Sequence, residues 1–453
     1  MHHRCPALLI AAPASGQGKT TVTSALARLH ARQGRRVRVF KCGPDFLDPY
    51  WHTLASGAPV YQMDLWMTGE ADCRARLADA AQQADLIIVE GVMGLFDGEP
   101  SAADLAQRFG LPVMAVIDAG SMAGTFGALA YGLQHYRPGL RFAGVLANRV
   151  ASARHAEMLR TSVADPALWL GAVMRNAAFT LPERHLGLTV ASELPDAMQR
   201  LDAAADALAT TPLGQMSLAD LQTWAVDFSA PPAALHAPEQ ALRGRTIAVA
   251  RDAAFCFIYA ANLDCLQALG AELRFFSPLA DAAVPDCDAL WIPGGYPELH
   301  APAIAANQGL RDSLARHIAA GRPVWAECGG MMALFETLVD SDGQRQPLWG
   351  LLPGEVTMQR RLAALGPQQL GLASGTLRGH TFHYSTTQTA LPVQTRTSRP
   401  DTAPVPTEGE ALWVQGSVRA SYFHAWFPSN PQAVVELFTP PPAMPPAGQA
   451  PTA

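Results

Sequence analysis

The chain of 453 residues has almost no lysine: among its 33 Lys and Arg residues, only positions 19 and 41 are lysine. It is also poor in charge, with 16% charged residues and a net charge of −6. No basic stripe exists, which excludes the usual footprints of nucleic-acid and anionic-membrane binding. No apolar run approaches the roughly 20 residues of a membrane-spanning helix. The seven cysteines (Cys5, Cys42, Cys73, Cys256, Cys265, Cys287, Cys328) form no CxxC pair. An odd, scattered set argues against a disulfide framework or a thiolate metal site and for a reducing compartment. The opening MHHRCPALLIAAPASG has a signal-like flavour, yet its apolar run leads directly into SGQGKTT. That continuation reads as a first buried strand feeding a loop, so a cytoplasmic protein is expected.

With 49% apolar residues and this length, two cores are expected. The first half alternates apolar strands with helical stretches: residues 7–12, 36–42, 85–91, 112–119 and 142–150 as strands, 20–33 and 101–109 as helices. Near-continuous apolar strands between helices predict an α/β fold with a parallel sheet covered on both faces and ligands at the strands' carboxyl ends. The Ala-, Asp- and Pro-rich stretch 196–243 is expected to be a linker between a domain over 1–195 and a second over 244–439. The second domain repeats the grammar with TIAVARD, LRFFSP, ALWIPGG and PVWAECGG, a helix near 259–269, another over 301–319, and β-rich runs around Glu355, Phe382 and Ala420. The Pro/Ala-rich tail 440–453 is expected to be disordered.

The two lysines sit where phosphate chemistry needs a compact ammonium. APASGQGKTT is a variant phosphate loop, with Pro13 in place of the first glycine. After a buried strand, the backbone of Ser15, Gly16, Gln17 and Gly18 would present N–H groups to phosphate oxygens at a helix N-terminus, together with Thr20 and Thr21. Lys19 would reach the terminal phosphates of ATP and the Thr20 hydroxyl would ligate Mg²⁺. Mg²⁺ takes one or two carboxylates as well. Asp45 and Glu90, both at strand ends, are the candidates, with a helix cap as the plainer role for such an acid.

In the second half, Cys328 follows an apolar strand and precedes Gly-Gly and a helix, the setting of a nucleophile elbow. A helix N-terminus there would favour thiolate. His424 is its candidate partner, and the backbone N–H groups of Gly294, Gly295 and Gly329 are candidates for an oxyanion hole.

Several segments carry a family resemblance: KCGPDFLDPYWH, MDLWM, VEGVMGLFDG, DAGSMAGTFGALAYG and GVLANRV. The chain resembles the cobyrinic (hydrogenobyrinic) acid a,c-diamide synthase family of glutamine-dependent corrin amidases, whose synthetase domain is similar to dethiobiotin synthetase. GGYPE, CGG, SYFH and GTLRGHTFHYS resemble the class I glutamine amidotransferase domain of that branch. The resemblance implies ATP- and glutamine-dependent amidation of the a and c carboxylates of a corrin macrocycle, through acyl phosphates and ammonia. It implies that Lys41 assists phosphoryl transfer, that Thr20, Asp45 and Glu90 surround Mg²⁺, and that Tyr50 and His52 lie near the macrocycle. The imidazoles of GTLRGHTFHYS and the pair Arg360-Arg361 could face substrate carboxylates, with plain surface charge an equal alternative for the arginines. One departure from the class stands out: the acid usually found two residues after the histidine is replaced by Trp426. Sister amidases (cobyric acid synthase, nickel-sirohydrochlorin diamide synthase), a partitioning-type ATPase switch and a binding protein with a dead amidotransferase half are the rivals. A homodimer is left open.

Overall fold

A computed structural model describes residues 2–184, 187–188, 191, 194–229, 239–400, 402, 405 and 408–440. The chain separates into two compact units near residue 236. In the first, β1 (His2–Ala11), β2 (Val37–Cys42), β3 (Tyr61–Met63), β4 (Leu86–Glu90), β5 (Val113–Asp118), β6 (Phe142–Val150) and β7 (Trp169–Met174) form a sheet in the order 3-2-4-1-5-6-7. All neighbours in it are parallel. Alternate residues of β1 explain the double cover: Ala7, Leu9 and Ala11 enter one apolar cluster, Leu8 and Ile10 the other. Helices on both faces satisfy these two sides. The strand order reverses around β1, so its carboxyl end opens on a crevice suited to a ligand.

The expected linker is corrected over its first part. Residues Ala197–Ala209 form a helix that buries Ala197, Leu201, Ala204, Ala205 and Leu208, an apolar stripe at helical spacing. It packs on α1 (Lys19–Arg32), and Arg28 clasps Asp202 at 2.7 Å. The strand Ala225–Ser229 then pairs antiparallel with the start of β1. The first unit therefore extends at least to residue 229. Residues 230–238, and the tail 441–453, lie outside the described residues.

The second unit has a seven-stranded sheet in the order Glu272–Phe276, Thr246–Ala250, Ala289–Ile292, Val324–Glu327, Val418–Ser421, Ala411–Gln415, Val393–Arg396. The first five strands are parallel and the last two antiparallel. The helix expected over 301–319 is two, Ala301–Ala306 and Gln308–Ala319, because Asn307 leaves helical backbone geometry and caps the second through Leu310 N–H. The β-rich expectation holds in Glu355–Met358, Gly375–His383 and Val418–Ser421. Among the described residues no helix is long and apolar enough to cross a membrane, and all seven cysteines are buried and free.

Candidate active sites in the two units

The loop after β1 is held from three sides. Gly18 sits at φ 90°, and a Cβ on it would come within 2.1 Å of Asn148 Nδ2, so only glycine fits. Asn148 Nδ2 donates to Gln17 O at 2.9 Å. Arg149 donates to Gly16 O at 2.8 Å and to Asp118 Oδ2 at 2.7 Å, while Gln17 Oε1 accepts from Asp118 N–H at 2.8 Å. The ends of β5 and β6 thus fix the loop's shape. Ser15 and Gly16 lie exposed at its tip, and Thr21 lies half-buried in the first turn of α1. Lys19 Nζ donates to Met93 O at 2.6 Å and Ala14 O at 3.2 Å. Met93 adopts φ 51°, a backbone conformation that is costly for a side-chain-bearing residue and turns its carbonyl onto the ammonium.

Behind the loop stands Glu90, fully buried at the end of β4. Its Oε1 accepts from Thr20 Oγ1 at 2.9 Å and Lys41 Nζ at 3.1 Å, and its Oε2 meets His52 Nε2. Sheet register explains the ion pair, since Lys41 and Glu90 are direct neighbours on β2 and β4. Lys41 Nζ also reaches Asp48 Oδ2 at 2.7 Å. Burial pushes the Glu90 carboxyl up, but Lys41, His52 and Thr20 outweigh it and hold it at about 2. Burial lowers Lys41, and Asp48 and Glu90 more than restore it, so the ammonium stays charged.

Two of the expected site residues are engaged within the protein here. His52, read as lying near a macrocycle, is fully buried and bridges Glu90 to Ser24 Oγ at 2.9 Å; it positions Glu90 and presents no surface. Asp45 Oδ1 closes the turn before the helix Asp48–Ser56, accepting from Leu47 N–H at 2.7 Å and Asp48 N–H at 2.9 Å. Asp48, which sequence reasoning passed over, is the acid that reaches Lys41. Tyr50 is half-buried against the core cluster that contains Trp51. Thr20 Oγ1 and Glu90 Oε1 fit a Mg²⁺ ion by donor type, as hard oxygens side by side at the loop, and a bound ion would replace the 2.9 Å hydrogen bond that now joins them. Among the described residues no group of three His, Cys, Asp or Glu is placed to hold a metal ion.

In the second unit, Cys328 lies between the central strand Val324–Glu327 and the helix Gly329–Leu334 at φ 43°, a strained elbow. Its N–H donates to Ser421 O at 2.8 Å. Three bare glycines let the pieces meet. A Cβ on Gly329 would come within 2.8 Å of Gly295 O, one on Gly295 within 2.1 Å of Ala254 O, and one on Gly294 within 2.5 Å of His424 Cε1. The elbow, the Gly294-Gly295 turn and His424 are therefore in one packed group. Burial, then Glu298, pushes the Cys328 thiol up, and the Gly329 N–H at the helix start pulls it down without offsetting them. Burial also raises the half-buried Glu298 to about 7.

The imidazoles of GTLRGHTFHYS do not face outward. His380 stacks on His424 with ring centroids 4.9 Å apart, and His383 stacks on Tyr422 at 3.7 Å and meets Glu410 Oε1 at 3.1 Å. Arg360 and Arg361 are exposed. Sequence reasoning also missed Glu327, fully enclosed one residue before Cys328, with Oε2 4.0 Å from His424 Nδ1. The signal was present, since PVWAE ends an apolar run in an acid just as DLIIVE does.

The chain thus carries a glycine loop at a helix start with Lys19 beside it, and a cysteine at a strand-to-helix elbow packed near a histidine. The family model for the CobQ/CobB/MinD/ParA nucleotide binding domain matches residues 8–188, and that for the CobB/CobQ-like glutamine amidotransferase domain matches residues 246–432. Hydrogenobyrinate a,c-diamide synthase of Pseudomonas aeruginosa is 56% identical over 96% of this chain and 98% of its own length. The enzyme of the same name from Stutzerimonas stutzeri is 57% identical over 96% and 99%. Cobyrinate a,c-diamide synthase of Herminiimonas arsenicoxydans is 48% identical over 96% of each chain. The amidotransferase match sets the chain apart from a bare ATPase switch, and the full-length similarity favours this branch over its sister amidases. With both domains present and similarity running along nearly the whole length, the chain belongs to the family of glutamine-hydrolysing hydrogenobyrinate and cobyrinate a,c-diamide synthases.

Proposed function

We propose that this enzyme converts the a and c side-chain carboxylates of hydrogenobyrinic acid, the cobalt-free macrocycle, to amides in cobalamin biosynthesis, using ATP and glutamine. One observation carries the choice of substrate: the relatives at 56% and 57% identity are both hydrogenobyrinate enzymes, whereas the cobyrinate enzyme stands at 48%.

A carboxylate is a poor electrophile. The first unit activates it: a substrate oxygen attacks the γ-phosphorus of ATP, ADP leaves, and an acyl phosphate forms. Lys19, held by two carbonyls, lies where terminal phosphates would replace or join them. Lys41 sets a second positive charge beside the Glu90 carboxylate, suited to the charge that moves to the leaving oxygen. Thr20 and Glu90 would hold Mg²⁺, with Asp45 and Asp48 near them; when bound, the ion neutralises phosphate charge. Tyr50 is the remaining candidate on this unit for contact with the macrocycle.

The second unit supplies nitrogen. Cys328 Sγ attacks the glutamine amide carbon, its proton passes to His424, and the backbone of Gly294, Gly295 and Gly329 stabilises the oxyanion. His424 returns the proton to the departing nitrogen, ammonia leaves, and water releases glutamate from the thioester. Ammonia then displaces phosphate from the acyl phosphate. The enzyme works in the cytoplasm without nucleic acid or membrane, and sedimentation of the pure protein distinguishes a monomer from a homodimer. The test of function is mass spectrometry of cobyrinic and hydrogenobyrinic acids after incubation with the protein, MgATP and glutamine. Two new amides, formed faster on the cobalt-free acid, are expected; no amide on either acid would overturn the proposal.

A further inference from the structure

A histidine that takes a proton from a buried thiol becomes a buried cation, and it needs a counter-charge. His424 is in that position. Only 1% exposed, it is held well below the ordinary imidazole range by burial and by its neighbours His380 and His383. The sequence offers no acid two residues downstream, where Trp426 stands. An acid reaches it instead from the central strand Val324–Glu327, whose last residue is Glu327.

We propose that Glu327 is the positioning residue of the glutaminase site: its carboxylate holds the Nδ1–H of His424, leaving Nε2 to accept the proton of Cys328. Glu327 Oε2 lies 4.0 Å from His424 Nδ1, and both side chains are enclosed. The other oxygen is clamped. Oε1 accepts from Trp325 Nε1 at 2.6 Å and from the N–H of Ala425, the residue after His424, at 3.3 Å. The carboxylate is thus tied to the backbone that carries the histidine, with Oε2 left toward the ring. A contraction of about 1 Å would convert the 4.0 Å approach into a hydrogen bond, as catalytic contacts often tighten only when substrate is bound. The Gly294 approach to one edge of the ring and His380 stacked on its face limit where else the imidazole can go.

The proton count closes. The Cys328 S–H proton moves to His424 Nε2, the imidazolium is balanced by the Glu327 carboxylate, and the same proton leaves on the amide nitrogen as ammonia forms. The charged and ionisable neighbours of the pair are His380 and His383 on the Gly375–His383 strand, Cys328 at the elbow, and Glu298 and Glu410, which act on the thiol. Trp291 and Trp325 face Glu327 without titrating in the working range. Burial raises the Glu327 carboxyl to about 8 despite these donors. Its ionisation therefore shapes the acid side of glutaminase activity, with the rate rising as pH rises toward that value.

This inference rests on the glutaminase assignment, and glutamate release by the full chain separates the two. No release by the wild type would overturn that assignment and this inference with it. With an active wild type, Glu327→Gln is expected to lower kcat about 100-fold, to change KM for glutamine little, and to remove the acid limb set by the carboxyl. Wild-type kcat with an unchanged pH profile would refute the role of Glu327. Trp325→Phe covers the case in which Glu327→Gln fails to fold. It keeps the ring's bulk, removes one donor to the carboxylate, and should move the acid limb to higher pH; an unmoved limb would equally refute the role.

Discussion

Replacing Gly294 with alanine tests the packing of the glutaminase site through a single methyl group. The new Cβ would stand 2.5 Å from His424 Cε1, 3.1 Å from Phe257 Cδ2 and 3.3 Å from His424 Nδ1. Carbon atoms rest at about 3.5–4.0 Å, so the ring must retreat by about 1 Å. It cannot do so freely, because His380 stacks against it with rings inclined by 17°. A displacement of 1 Å in a catalytic group costs about 100-fold in rate, equivalent to about 2.7 kcal/mol. The assay compares amide synthesis from glutamine with synthesis from ammonium chloride at saturating ATP. Glutamine-driven kcat should fall by about two orders of magnitude, whereas ammonium-driven synthesis, which bypasses His424, should persist. Equal rates from glutamine in the variant and the wild type, with the variant folded, would show that the ring has room the structure denies it.

Other perturbations separate the two chemistries. Cys328→Ser should abolish glutamine-driven synthesis and leave the ammonium-driven rate; loss of both would contradict independent sites. Lys19→Ala should eliminate ATP-dependent amide formation while glutamate release survives, and normal turnover in a kinetic assay would remove Lys19 from the phosphate site. Lys41→Met leaves the buried carboxylates Glu90 and Asp48 without their ammonium, at a cost of about 3–5 kcal/mol; an unshifted urea midpoint would refute that accounting. His317 gives a pH test of stability. Burial lowers its folded-state value to about 4 from 6.5, so its contribution is complete above the unfolded value and is lost as pH falls toward 4. Comparing urea unfolding of the wild type and His317→Gln at pH 7.5 and pH 5, the wild type's advantage should shrink at the lower pH.

Much of the molecule was legible in its residues because apolar runs and glycine punctuation are local signals. The strand-loop-helix around Lys19, the acid ending β4 and the cysteine elbow each show themselves within a dozen residues. What escaped was settled by distance along the chain. The resemblance put His52 near the macrocycle, but its ring meets Glu90, 38 residues further on, and one oxygen of Asp45, a candidate metal ligand, is taken by the turn that follows. The helix Ala197–Ala209 was hidden by composition: alanines at helical spacing bury as effectively as larger residues when they face α1, but they read as filler. Glu327 was overlooked because its partner His424 is 97 positions away, a pairing that the parallel sheet makes and no local pattern announces.

The near-absence of lysine also gives the folded protein an unusual chemical silence. Lys19 and Lys41 are only 7% and 3% exposed, so reagents that acylate side-chain amines find almost nothing to attack while the first unit is closed. Their rate of incorporation would follow the opening of that unit alone, and nucleotide seated over Lys19 should slow it further, making two amines a built-in gauge of occupancy and local unfolding.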